Sequence, residues 1–125
     1  RQRDGLAWSL RRFERDLIEA LGFGFALDCD GDGDPVDPAA RYRLDPEHGP
    51  RRLRSDRGHE ERSQAATGRA LLALAGDALP SPDDLASLRL PMRAVLAHHL
   101  GPRGLKSWEM IGELGRLKRT GSAAG

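Results

Sequence analysis

The sequence predicts a small, mainly α-helical domain that carries a degenerate β-hairpin insertion. Three observations predict it. A helical repeat of apolar residues opens the chain. Two helix-start signals punctuate its second half. Between them, residues 23–62 lose the 3.6-residue period and gain Asp, Gly, Pro and Arg. A chain of 125 residues is long enough for one compact domain. Its expected parts are a first core helix (1–22), the insertion and a connector (23–62), a helical remainder (63–118) and a disordered tail (119–125).

The first helix is expected from about Leu6 to Leu21. Leu6, Leu10, Phe13, Leu17 and Leu21 recur at helical spacing and form one stripe, and Gly22 follows as a C-terminal cap. Arg12 with Asp16, and Arg15 with Glu19, sit four apart on the outer face, where each pair adds only ~0.2–0.5 kcal/mol. Glu14 lies some 60° from the centre of the stripe on a 100° wheel, so it is expected partly buried and in need of a cation. Trp8 points the other way, either exposed or packed on an element that precedes these residues. The chain opens without methionine and runs at once into this pattern, which fits a fragment or the C-terminal part of a longer protein.

In the insertion, "FALD" and "RYRL" read as short extended runs, "DPEHGP" as a turn and "RRLR" as a further strand, giving a hairpin or a three-stranded meander. "SDRGHEERSQ" is a polar connector. Thr67 caps a helix running to Leu74 or Gly76, with Leu71 and Leu74 inward. "SPDDL" is a second start: Ser81 as N-cap, Pro82 in first place, Asp83 and Asp84 on the positive end of the dipole. Leu85, Leu88, Met92, Val95 and Leu96 form the core face, and Pro91 inside the pattern predicts a break near Arg89. A last helix is expected from Ser107 to Leu117 on Trp108, Ile111 and Leu114. There is no internal repeat.

Composition excludes several classes. No apolar run approaches the ~18–20 residues of a membrane span, and no signal peptide is visible. One cysteine, Cys29, rules out an internal disulfide and a Cys-rich zinc site, and fits a reducing compartment. The net charge of +1 hides a patchy distribution. Asp28, Asp30, Asp32, Asp34 and Asp37 form an acidic loop, while residues 41–62 hold seven arginines against five acids and residues 103–119 five bases against two acids.

"DCDGDGD" (28–34) invites a calcium reading. Asp28, Asp30 and Asp32 take positions one, three and five, and Gly33 the sixth, but position twelve is Ala39 where a bidentate glutamate is required. A solvated turn is the better reading. Zinc lacks converging ligands, since His48, His59, His98 and His99 are scattered or diverge on a helix. No nucleophile elbow, phosphate loop or His-Glu-x-x-His is present. The basic segments remain, Arg41, Arg43, Arg51, Arg52, Arg54 and Arg57 with Tyr42 interleaved, and Arg103, Lys106, Arg116, Lys118 and Arg119 near the last helix. Such groups supply salt-sensitive affinity for phosphates, although a mixed solvated surface has the same composition.

"LRRFERDLIEALGFG" (10–24), "TGRALLAL" (67–74) and above all "HHLGPRGLKSWEM" (98–110), in this order, resemble the C-terminal half of the recombination mediator RecO. The resemblance covers nearly the whole chain. The loop "LDCDGDGDPVDPAARYRLDPEHG" is similar to that family's mid-domain insertion, where many relatives carry a four-cysteine zinc knuckle. Here only Cys29 remains, so the insertion is expected to be a metal-free, zinc-knuckle-like remnant. The family's N-terminal OB-fold and the helices expected before Leu6 are not in these residues.

The resemblance implies a cytoplasmic, nucleoid-associated DNA-repair protein that is not an enzyme and needs no cofactor. It implies binding of single- and double-stranded DNA, and strand annealing. It further implies docking of the acidic C-terminal tail of the single-stranded-DNA-binding protein, and loading of RecA together with RecR. A tail that ends in a Phe carboxylate after several aspartates needs an apolar pocket ringed by arginines. Arg11 is the first position carried over for that contact and Arg12 the second. Auxiliary DNA contacts are expected at Arg41, Arg43, Arg51, Arg52, Arg103, Arg116 and Lys118. Glu14 and Lys106 are expected to pair between the first and last helices. Two other readings stay open: a metal-binding regulatory module on the Asp-rich loop, and a vestigial fragment without activity of its own.

Overall fold

A computed structural model describes residues 2–54, 58, 62–101 and 104. Helix α1 spans Gln2–Ala20. Strands β1 (Arg41–Asp45), β2 (Gly49–Arg52) and β3 (Ala66–Thr67) form one antiparallel sheet in the order β2-β1-β3. Helices α2 (Gly68–Ala75) and α3 (Pro82–Ser87) follow, then α4 over residues 89–101. Among the described residues no helix is long and apolar enough to cross a membrane. The mainly α character and the small sheet agree with the sequence. The last helix expected from Ser107 lies outside the described residues.

The helix starts form where their chemistry demands. Thr67 accepts from the Ala70 amide at 3.1 Å, which satisfies one orphan donor of α2. Ser81 accepts from the Asp84 amide at 3.3 Å, with Pro82 in the first turn of α3. The chain breaks at Leu88, and α4 restarts with the Met92 amide bonded to the Leu88 carbonyl at 3.0 Å. Pro91 thus sits in the first turn of α4, where its missing N–H costs nothing. Leu71, Leu74, Leu88, Met92, Val95 and Leu96 are all buried, as their spacing predicts.

Helix α1 departs from expectation. Its buried positions are Trp8, Arg11, Glu14 and Ile18, while Leu6, Phe13 and Leu21 are 45, 50 and 43% exposed. Leu10 and Leu17 are partly buried against the core. The core-facing stripe is therefore rotated by roughly 100° from the apolar one. Trp8, expected to point away, belongs to the core cluster. A pattern that counts only apolar residues misplaces this face, because two charged side chains occupy it.

The insertion is a sheet built on one apolar row. Tyr42 and Leu44 of β1 face inward and Arg43 outward. The Tyr42 hydroxyl accepts from the Asp37 amide at 2.8 Å and so ties the acidic loop to the sheet. "FALD" forms no strand, although Leu27 is buried, and the loop closes instead through an isolated bridge between Cys29 and Pro35. The third strand comes from Ala66–Thr67, beside the start of α2. Gly68 follows at a point of contact where an added methyl would overlap the Asp37 carbonyl oxygen.

Candidate partner-docking surfaces

The outer face of the sheet is basic. Register sets Arg43 directly opposite Arg51, both exposed. Arg51 reaches Asp45 at 3.4 Å and Arg52 reaches Asp37 at 3.3 Å, while Arg41 donates to the Arg62 carbonyl at 3.3 Å. The side chains of Arg43 and Arg54 have no ion pair or hydrogen bond among the described residues. Arg43, Arg51, Arg52 and Arg54 line a groove of about 1030 Å³ between the hairpin and α4. Leu53, Leu90 and Pro91 give it aliphatic walls, and Asp30, Asp32 and Asp45 occupy its acidic end. Leu90 is 51% exposed there.

Arg11 and Arg12 are placed very differently. Arg11 is buried, with its Nε 2.7 Å from Glu14 Oε1. The N–H is not aimed at that oxygen, so the contact is charge attraction rather than a well-formed hydrogen bond. Burial lowers the Arg11 pKa, Glu14 opposes that, and Arg89 and Arg93 add to it. Burial also pushes the Glu14 carboxyl up to about 7, against the attraction of Arg11, Arg93 and Arg89. Glu14 does need a cation: Arg11, from its own helix, is in contact with it, and Arg93 and Arg89 of α4 add attraction. Lys106, the expected partner, lies outside the described residues, as do Arg103, Arg116 and Lys118.

Arg12 is exposed, 3.4 Å from Asp77 and 6.0 Å from the centre of the Trp8 ring. The expected i,i+4 pairs do not form. Asp77 replaces Asp16 for Arg12, and Arg15 binds Asp16 at 2.9 Å, Asp77 at 2.6 Å and the Leu74 carbonyl at 2.7 Å. Sequence reading missed Asp77. It sits just past α2 with φ 55°, a left-handed position that Asp tolerates better than most residues, and the preceding Gly76 was its one signal.

"DCDGDGD" closes on itself. Asp30 Oδ1 accepts from the amides of Asp32 (2.9 Å) and Asp34 (3.0 Å), and the Gly33 amide donates to the Asp30 carbonyl at 3.0 Å. Gly33 has φ +88°, which explains the glycine there. The hairpin turn repeats the device. Asp45 Oδ1 accepts from the Glu47 and His48 amides at 2.9 and 3.0 Å, and these bonds lower its carboxyl pKa to about 2. Among the described residues no group of three or more His, Cys, Asp or Glu converges as a metal site. Burial and the charges of Asp28 and Asp30 raise the Cys29 thiol pKa, which disfavours a reactive thiolate. His99 donates Nε2–H to the Pro46 carbonyl at 2.8 Å and stacks on Phe23 at 4.0 Å, so it fastens the turn to α4.

Comparisons with known proteins agree with the motifs of residues 10–24, 67–74 and 98–110. No family model matches the chain. It is 70% identical over 110 residues to a DNA repair protein of Stenotrophomonas maltophilia (strain K279a), named RecO, covering 88% of this chain and 46% of that protein. The RecO proteins of Xylella fastidiosa (strain M12) and Xanthomonas oryzae pv. oryzae (strain PXO99A) are 63% identical over 111 residues and 60% over 113. These matches cover 89 and 90% of this chain, and 46 and 47% of the relatives. The chain spans about half the length of the curated relatives it matches.

Proposed function

We propose, from the premise that this chain is a homologue of DNA repair protein RecO over about half of that protein's length, that it is the docking half of a recombination mediator. In this role no bond is made or broken. The chain receives the acidic tail of the single-stranded-DNA-binding protein, works with RecR, and contacts DNA phosphates in support of strand annealing and RecA loading.

The observation that carries this reading is the cross-strand pair Arg43–Arg51 beside the hairpin groove. Like charges directly opposite each other destabilise a sheet. An anion bound between them reverses that penalty, and charge-assisted contacts from guanidinium groups are the strong ones. An acidic segment ending in Phe would place its carboxylates at Arg43, Arg51 and Arg54 and its ring against Leu53 and Leu90. Exposed Arg12 is a secondary contact. Arg11 acts from within the core, by holding α1 in place. Phosphates would meet the same outer face at Arg41, Arg43 and Arg51, while Arg52, opposite Tyr42 in register, would reach them from the edge of the other face.

Fluorescence anisotropy with a labelled acidic peptide ending in Phe tests the proposal. Binding should weaken with salt and be lost without the terminal Phe. Arg43→Glu with Arg51→Glu should weaken it by at least roughly tenfold, as expected when two charge contacts become repulsions. Affinity indifferent to the Phe would reduce the surface to generic charge attraction.

A further inference from the structure

A second groove, of about 700 Å³, lies on the α1–α2 side of the molecule, and its chemistry is opposite to that of the hairpin groove. Its floor is apolar: Ile18, Leu27 and Met92 are buried core residues, and Phe25 is partly buried beside them. Its rim carries Asp16, Glu19, Asp28 and Asp77 against one base, Arg15. Arg15 is already engaged with Asp16, Asp77 and the Leu74 carbonyl. Glu19 and Asp28 are exposed and meet no cation among the described residues.

Backbone adds to this field. α1 ends at Ala20 and α2 at Ala75, both at this groove, and neither has a basic residue in its last turn. A helix C-terminus carries about half a negative charge and favours a nearby cation. The contact from Arg15 to the Leu74 carbonyl shows a guanidinium satisfying one of these two ends. The end of α1 has no such guanidinium among the described residues; its Ile18 and Glu19 carbonyls accept from the Phe23 and Gly22 amides at 3.0 Å, so what that end offers a cation is the field of the helix dipole.

We propose that this groove docks a basic segment of a partner protein. An arginine or lysine enters beside Glu19 and Asp28, and an adjacent aliphatic side chain covers Phe25 and Leu27. Nucleic acid and acidic peptides are repelled here, so this surface can be filled while the hairpin groove holds an anion.

The test is anisotropy of a fluorescein-labelled octapeptide of alternating arginine and leucine, added to the full chain. It should bind, while the peptide with serine for leucine should not; any binding of the peptide with glutamate for arginine belongs to the hairpin groove and should be unchanged by the Glu19 and Asp28 substitutions. Glu19→Gln with Asp28→Asn should weaken binding about tenfold, or 1.4 kcal/mol. Asp32→Asn with Asp34→Asn, which removes equal charge away from this groove, should change it less than about twofold. Equal weakening by both double variants, or by neither, overturns the proposal. Self-association of the free chain that the peptide reverses would give the groove to a second copy and overturn the assignment to a partner. The probe is cationic, so its result is separate from that of the acidic tail peptide.

Discussion

Glu14 is the residue at which stability and acidity are most tightly linked. Its folded pKa of about 7 lies above the ordinary value of 4.5. Between those values the folded chain holds a proton that the unfolded chain has released. Its favourable contribution is therefore complete below about 4.5 and is lost as pH rises through about 7. Urea titrations at pH 5 and pH 8 should show this group's share as a loss on the order of 1–3 kcal/mol, absent in Glu14→Gln. Asp84 has the opposite sign. Burial alone would raise its carboxyl, but hydrogen bonds from Arg69, Thr67 and Ser81 outweigh that and lower it. Its contribution is present above the ordinary carboxylate range and fades as pH falls. The two candidate tail arginines also separate at this scale. Arg11→Ala leaves Glu14 buried without its ion-pair partner and should cost about 3 kcal/mol, whereas Arg12→Ala should cost less than about 1 kcal/mol by the same denaturation assay.

At the scale of elements, two glycines make a controlled comparison. Gly68→Ala should destabilise by about 2 kcal/mol or more, because the methyl meets the backbone carbonyl of Asp37 at the junction of β3 and α2. Gly5→Ala, in α1 with nothing within 4 Å of the added carbon, should stabilise by about 0.5–1 kcal/mol. Thermal melts of the two variants should move in opposite directions. Helices α2 to α4 were legible in the sequence because their signals are local: Thr67, Ser81–Pro82 and Pro91 each satisfy or break the backbone within one turn. The inward face of α1 was not legible. It depends on a charged pair, Arg11–Glu14, whose burial no hydrophobic period encodes. Strand β3 was equally hidden, since its two residues become a strand only by pairing with Arg41 and Tyr42.

At the scale of the whole molecule, charge is sorted by face. The hairpin presents guanidinium groups, and the ends of α1 and α2 present carboxylates. Composition showed the basic and acidic segments, but not that Arg43 would face Arg51 or that Asp77 would join Arg12 and Arg15, because those meetings are set by register and packing. Salt should therefore weaken both proposed docking events, the acidic peptide on one face and the basic peptide on the other, within the ~10 Å screening length of 0.1 M salt. The self-closed turns carry one last consequence. Asp30 and Asp45 each tether two amides of their own loop. Chelators should leave the insertion's amide NMR spectrum unchanged, and strong acid near pH 2, where Asp45 takes up its proton, should scramble it. On those outcomes the shape of the hairpin, and the surface it displays, would answer to acidity and not to metal supply.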